Sequence, residues 1–312
     1  MGENSIAIRT NCLTKRFGKR IAVDALNIEI KQGEIFSLLG TNGAGKTTTI
    51  KMLCCLLIPN FGTATVMGYD IKNNPFQIKS IIGVSPQDTA IASHLSTKEN
   101  LCLMGGVFGL QSAIINIRAK NLMKLMELED RKDQVRKLSG GMQRRLSIAM
   151  ALMSDPQILF LDEPTLGLDP HARKSVWNYI NKLKKQKTIF LTTHYLEEAD
   201  SLADQIAIMD NSKIISSGSS NELKQKHISI KTLKITLDNI PPDVSTDLKK
   251  IGLNFTVNDT IIEIKSVELD IYKIINFLQS KSIIIKGIQM KEPTLEEVFL
   301  LLTGKEVKNE NI

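Results

Sequence analysis

The sequence predicts an α/β protein with a largely parallel sheet, followed by a small α+β domain. Three observations carry this. Short stretches with apolar centres ("EIFSLLG", "ILFLDEP", "KTIFLTTH", "QIAIMD") alternate with helical patterns, as strands buried on both faces do. One of these stretches runs through a glycine-rich loop straight into a helix. After His227 the pattern changes to β-α-β-β-α-β, the order of a ferredoxin-like unit. The 312 residues are enough for one large domain and one small one, and the boundary is expected near Lys224–Ser229. This gives domains of 1–226 and 227–312.

In chain order, Ser5 to Gln32 reads as short strands ending at the turn "KQGE". "EIFSLLG" is a buried strand and "KTTTIKMLCCLL" a helix. Asp88 to Asp155 reads as mostly helical, with a capping box at Ser96 and Glu99. The three later apolar strands follow, then a helix beginning near Ser219, with a possible box to Glu222. In the second domain "KTLKITLD" is a strand and "PPDVSTDLKKIG" a short helix. "NFTV" and "TIIEIKS" form a hairpin around Asn258–Asp259, "ELDIYKIINFLQSK" is an amphipathic helix and "IIIKGIQMK" a strand. The last helix, "TLEEVFLLLTG", has a box at Thr294 and Glu297, one apolar face of Leu295, Val298, Phe299 and Leu302, and Gly304 as its C-cap.

Composition narrows the function. With 42% hydrophobic and 23% charged residues the chain has the make-up of a globular domain. No apolar run approaches the length that spans a bilayer, and "MGENSIAIRT" has neither the basic region nor the apolar stretch of a secretion signal. Ile6 also breaks the myristoylation pattern. A cytosolic protein is expected. Cys12, Cys54, Cys55 and Cys102 include no C-x-x-C pair, so they are expected to be buried, reduced thiols. The net charge of +7 is compatible with nucleic acid or an anionic membrane surface, but its lysines are scattered with no long basic block, so the charge alone carries little weight.

"GTNGAGKT", Gly40 to Thr47, fits the phosphate-loop pattern in full. Backbone N–H groups of Gly40, Thr41, Asn42, Gly43, Ala44, Gly45 and Thr48 are placed to wrap phosphates. Lys46 reaches the terminal phosphates, and the Thr47 hydroxyl suits a magnesium ion. "ILFLDEP" ends a buried strand with Asp162, suited to the metal, and Glu163, suited to the water that attacks the γ-phosphate. "KLSGGMQRRL" sets Ser139, Gly140 and Gly141 ahead of a further helix, a second anion-binding arrangement.

These residues, over roughly Ser5 to Lys224, resemble the ATP-binding subunits of ABC transporters. "LSGG" looks like the family signature, with Met142 in place of the usual glutamine and Gln143 following. Gln87 in "VSPQD" resembles the Q-loop glutamine, a magnesium ligand. Asp169 in "GLDP" resembles the D-loop, where many members have "ALD". His194 in "LTTHYLEEAD" resembles the switch histidine, and Phe17 the aromatic that stacks on adenine. The resemblance implies a P-loop NTPase fold with an antiparallel β subdomain and a helical subdomain. It also implies ATP and Mg²⁺ as ligands, and head-to-tail pairing with a second ATPase subunit, so that Ser139, Gly140, Gly141 and Asp169 serve ATP held by the partner.

The C-terminal domain, the ending "EPTLEEVFLLLTG" and "TTHYLEEADSLADQIAIMD" look like multidrug and daunorubicin-resistance exporters of the ABC-2 class. This implies a subunit at the cytoplasmic side of the membrane, attached through a separate permease. The alternative is a soluble ATPase of this type acting on ribosomes or nucleic acid. Such proteins carry paired ATPase domains or long coiled coils, and this sequence has neither.

Overall fold

The computed structural model describes residues 5–128, 133–228, 231–239, 254–266, 271–281 and 283–304. Its contacts divide the chain into two compact units between Ser220 and Asn221.

The first unit starts with strands β1 (Ile6–Phe17), β2 (Arg20–Leu26) and β3 (Glu29–Lys31), followed by β4 (Ile35–Gly40) and helix α1 (Lys46–Leu53). Next come β5 (Phe61–Val66), β6 (Tyr69–Asp70), α2 (Pro75–Ile81) and β7 (Ile82–Ser85). A helical stretch holds α3 (Thr97–Val107), α4 (Ser112–Leu125) and α5 (Gly140–Ala151). The rest is β8 (Ile158–Asp162), α6 (Pro170–Leu183), β9 (Thr188–Thr193), α7 (Leu196–Leu202), β10 (Gln205–Asp210) and β11 (Lys213–Gly218).

Two sheets result. The antiparallel one has the order β2-β1-β5-β6, with β3 also on β1. The central one has the order β11-β10-β4-β9-β8-β7. Of its five neighbouring pairs four are parallel, and only β11 runs antiparallel, to β10. Every residue of β4, β8 and β9 is buried, which explains why apolar residues dominate them without alternation. Phe36, Phe160 and Phe190 stack across the middle of this sheet, with ring centroids 5.3 and 5.6 Å apart.

Two local expectations change and one holds. The first strand runs 12 residues rather than breaking into short pieces. It survives that length because its register shifts between Asn11 and Thr14, a bulge that lets one strand serve two neighbours. Cys12 sits in that bulge with φ +47° and is exposed, not buried. The Ser96–Glu99 box forms, with both reciprocal hydrogen bonds.

Helix α8 (Ser220–His227) spans the boundary, and the second unit holds β12 (Lys231–Leu237), β13 (Asn254–Asn258) and β14 (Ile261–Ser266). It continues with α9 (Ile271–Ser280), β15 (Ile285–Lys291) and α10 (Leu295–Thr303). Its antiparallel sheet has the order β13-β14-β12-β15. Leu233, Ile235, Ile262 and Ile264 pack against Ile274 and Leu278 of α9. The hairpin turns at Asp259, φ +51°. The Thr294–Glu297 box closes α10, which ends at Gly304 with φ +64°. The helix expected at "PPDVSTDLKKIG" lies outside the described residues.

Candidate active site

Parallel strands deliver their C-terminal ends to one edge of a sheet, where α/β proteins place ligands. Here β4 ends in the glycine loop, β8 in Asp162 and Glu163, β9 in Thr192–His194, and β7 leads to Gln87. A cavity of about 370 Å³ opens at this edge. It is lined by Phe17, Asn42, Gly43, Gly45, Lys46, Thr47, Thr48, Gln87 and Glu163, together with Arg20, Ala22 and Leu166.

The loop needs its glycines. Gly45 has φ +116°, and a Cβ there would stand 2.2 Å from the Ala22 carbonyl oxygen. No other residue fits that conformation and approach. Lys46, 6% exposed, donates to the Gly40 carbonyl at 2.7 Å and pairs with Glu163 Oε1 at 2.9 Å. Glu163 Oε2 lies 2.8 Å from His194 Nδ1. Burial pushes the Glu163 carboxyl up, but the His194 hydrogen bond and the Lys46 charge outweigh it and hold the group below its ordinary value. Glu163 is therefore a carboxylate. Its backbone has φ +48°, a left-handed turn unusual for a side-chain-bearing residue and typical of functional sites. The turn is pinned by the Glu163 N–H, which donates to the Thr192 carbonyl and hydroxyl, each at 3.1 Å.

Asp162 stands opposite Thr192 in the sheet register. Its Oδ1 accepts from the Thr192 hydroxyl at 2.6 Å and from the Thr47 hydroxyl at 3.2 Å. Hydroxyl and carboxylate oxygens this close are the hard donors that magnesium takes. Phe17 is 51% exposed at the cavity rim, with the Lys15 ammonium 5.2 Å from its ring centroid.

The signature and D-loop residues do not line this cavity. Ser139 and Asp169 instead form the N-caps of α5 and α6. The Ser139 hydroxyl accepts from Met142 N–H, and the Asp169 carboxylate accepts from His171 and Ala172 N–H. The two helix starts lie side by side, since a Cβ on Gly141 would come within 3.0 Å of the Ala172 Cβ. Gly167 has φ +72°, which accounts for glycine in "GLD". Gln143 does not replace the missing signature glutamine, because its amide donates back to the Leu138 carbonyl at 3.0 Å.

Sequence reasoning missed three residues. Thr192 orients both acids. Arg144, buried in α5, donates to main-chain carbonyls around Glu163. Glu198 of α7 is fully buried and accepts from Thr165 at 2.8 Å and Trp177 at 3.0 Å. "QRR" and "LEEAD" read locally as solvated charge, so only burial picks these two out.

Residues 23–166 match the ABC transporter family. The chain is 38% identical over 306 residues to Nod factor export ATP-binding protein I of Cupriavidus metallidurans, covering 95% of this chain and 96% of that protein. It is 37% identical over 306 residues to the daunorubicin/doxorubicin resistance ATP-binding protein DrrA of Streptomyces peucetius, covering 96% and 92%. Among solved structures it resembles the ATP-binding subunit of an ABC transporter, with TM-score 0.63 and 27% identity over 70% of this chain and 92% of that one. It also resembles a bacterial ABC transporter cassette solved as a dimer, with TM-score 0.62 and 26% identity over 68% and 98%.

Proposed function

Since the chain belongs to the family of ABC transporter ATP-binding subunits, we propose that it is the ATPase of a membrane exporter, powering a separate permease from the cytoplasmic side. The observation that supports this best is the convergence of Lys46, Thr47, Asp162, Glu163 and His194 on one cavity at the sheet edge. The cargo proposed is drug-like, peptide or lipid-like, and the relative named for daunorubicin/doxorubicin resistance supports the first of these. Among the described residues no helix is long and apolar enough to cross a membrane, so the transport path is assigned to another subunit.

In this reading Phe17 stacks on adenine, the glycine-loop amides wrap the phosphates, and Lys46 holds the terminal ones. Thr47, Asp162 and Gln87 hold magnesium, which when bound offsets phosphate charge. Glu163 accepts hydrogen bonding from the attacking water, and His194 orients Glu163 and the γ-phosphate. Ser139, Gly140, Gly141 and Asp169 act on ATP held by a second ATPase subunit, an identical or related chain. Their absence from their own cavity's lining favours that arrangement. Residues 1–226 are the nucleotide-binding domain. Residues 227–312 are a ferredoxin-like regulatory or coupling domain, a reading supported by the strand order β13-β14-β12-β15.

The test is Glu163→Gln. It keeps the size and hydrogen bonding of the side chain but loses the charge that polarises water. Binding of Mg·ATP is expected to persist, the ATP-bound dimer to accumulate, and turnover to fall by ~10² or more. Hydrolysis at the wild-type rate overturns the assignment.

A further inference from the structure

We infer that Arg144 is a positioning residue that fastens the signature helix to the catalytic loops of its own subunit, so that closure over one nucleotide is transmitted to the other site. The inference rests on the reading above, in which Ser139–Gly141 engage the partner's ATP.

Arg144 lies in the second turn of α5, whose first residues follow Ser139. It is 4% exposed. Its guanidinium makes no ion pair among the described residues. Instead Nε donates to the Pro164 carbonyl at 2.9 Å and Nη2 to the Asp162 carbonyl at 2.7 Å. Nη1 donates to the carbonyls of Pro86 at 2.5 Å and Gln87 at 3.3 Å. The first two carbonyls flank Glu163 on either side. The other two belong to the loop that carries Gln87 into the cavity. One side chain therefore grips both catalytic loops.

The cation is costly to keep where it is. Burial lowers the Arg144 pKa to about 10, against the favourable fields of Glu198, Asp162 and Glu163, so the group remains charged at neutral pH. An apolar side chain would fill the same space without burying a charge. What it would lack is the planar fork, which directs donors along fixed and separate directions. A second tie runs parallel to it: Ser147, also on α5, meets Ser85 of β7 hydroxyl to hydroxyl at 2.8 Å. Helix α5 thus cannot shift toward a partner's nucleotide without pulling on residues 85–87 and 162–164. The two nucleotides of the dimer are coupled through this helix, one at its N-terminus and the other beyond Arg144.

The experiment uses the full chain and measures ATP hydrolysis against ATP concentration for wild type, Arg144→Lys and Arg144→Met. Lysine keeps the charge but cannot span both loops, and methionine keeps the bulk without a donor. The expected result is a wild-type Hill coefficient above one that falls to one in both variants. The maximal rate is expected to fall about tenfold, while the dissociation constant of ATP from the isolated subunit changes by less than about twofold. In a Glu163→Gln background, ATP should slow hydrogen exchange at residues 85–88, and adding Arg144→Lys should remove that protection. A merely structural role lowers the melting temperature and leaves the Hill coefficient in place. The inference is overturned by folded variants that keep the wild-type Hill coefficient, by a wild-type Hill coefficient of one, or by both variants failing to fold. If ATP fails to dimerise Glu163→Gln, the earlier reading of the signature falls first. If that dimer forms and the Arg144 variants stay cooperative, only the coupling role falls.

Discussion

Glu198 shows how far a side chain's chemistry depends on its surroundings. It is buried on α7 and bonded to Thr165 and to Trp177 of α6. Burial pushes its carboxyl up despite the hydrogen bonds from Thr165 and Trp177. Because the folded state holds this proton where the unfolded state has lost it, the group's contribution to stability is greatest below the unfolded value of about 4.3 and declines as pH rises toward the folded one. Glu198→Gln keeps the accepting oxygen and carries no charge. It is expected to change stability by less than about 1 kcal/mol at neutral pH, and to remove this part of the pH dependence. Glu198→Ala strands the Thr165 hydroxyl and the Trp177 N–H, at a cost of about 2 kcal/mol or more. Urea denaturation of the three proteins between pH 4 and 8 checks this, and equal losses for Gln and Ala would contradict it. The site's local residues were legible in sequence. Gly40 to Thr47 carries its own conformational requirements, and Asp162 and Glu163 follow an apolar strand that declares its burial. Thr192, Arg144 and Glu198 were not legible, because their roles come from segments 18 to 58 residues away.

Helix α5 is the element with two ends to account for. Its start, Ser139–Gly141, takes no part in its own cavity's lining, and its second turn braces the main chain at Pro86 and Asp162. If the start works in trans, a dimer of one Lys46→Ala chain and one Ser139→Arg chain places both lesions in a single composite site and leaves the other intact. A doubly substituted chain paired with wild type places one lesion in each site. The first mixture is expected to occlude ATP at one site and the second at none. The opposite result assigns the signature to its own subunit. Occlusion is the better readout, because cooperation between sites can silence turnover. At this scale the sequence was informative wherever caps and periodicity are local, as with the boxes at Ser96 and Thr294. It misjudged β1, since the bulge at Cys12 is set by the two neighbours that the strand must satisfy.

At the scale of the molecule, every residue that lines the cavity belongs to the first unit. A chain ending at Lys226 is therefore expected to fold and to bind Mg·ATP with an affinity within about threefold of the full chain, as titration would show, while losing regulation of, or coupling to, its permease. Folded but unable to bind nucleotide, it would contradict the division of labour. The order of strands has a consequence for the protein's synthesis. Strand β4, which leads into the phosphate loop, pairs with β9 and β10 and with no strand made before them. Translation of Ile35–Gly40 thus precedes its first partner, Thr188–Thr193, by about 150 residues, and long-range parallel pairing of this kind is slow to form. During that interval an apolar hexapeptide waits on the growing chain, a natural substrate for chaperones. ATP can stabilise the newborn protein only after the ribosome has passed both partner strands, so the loop that is written early becomes useful late.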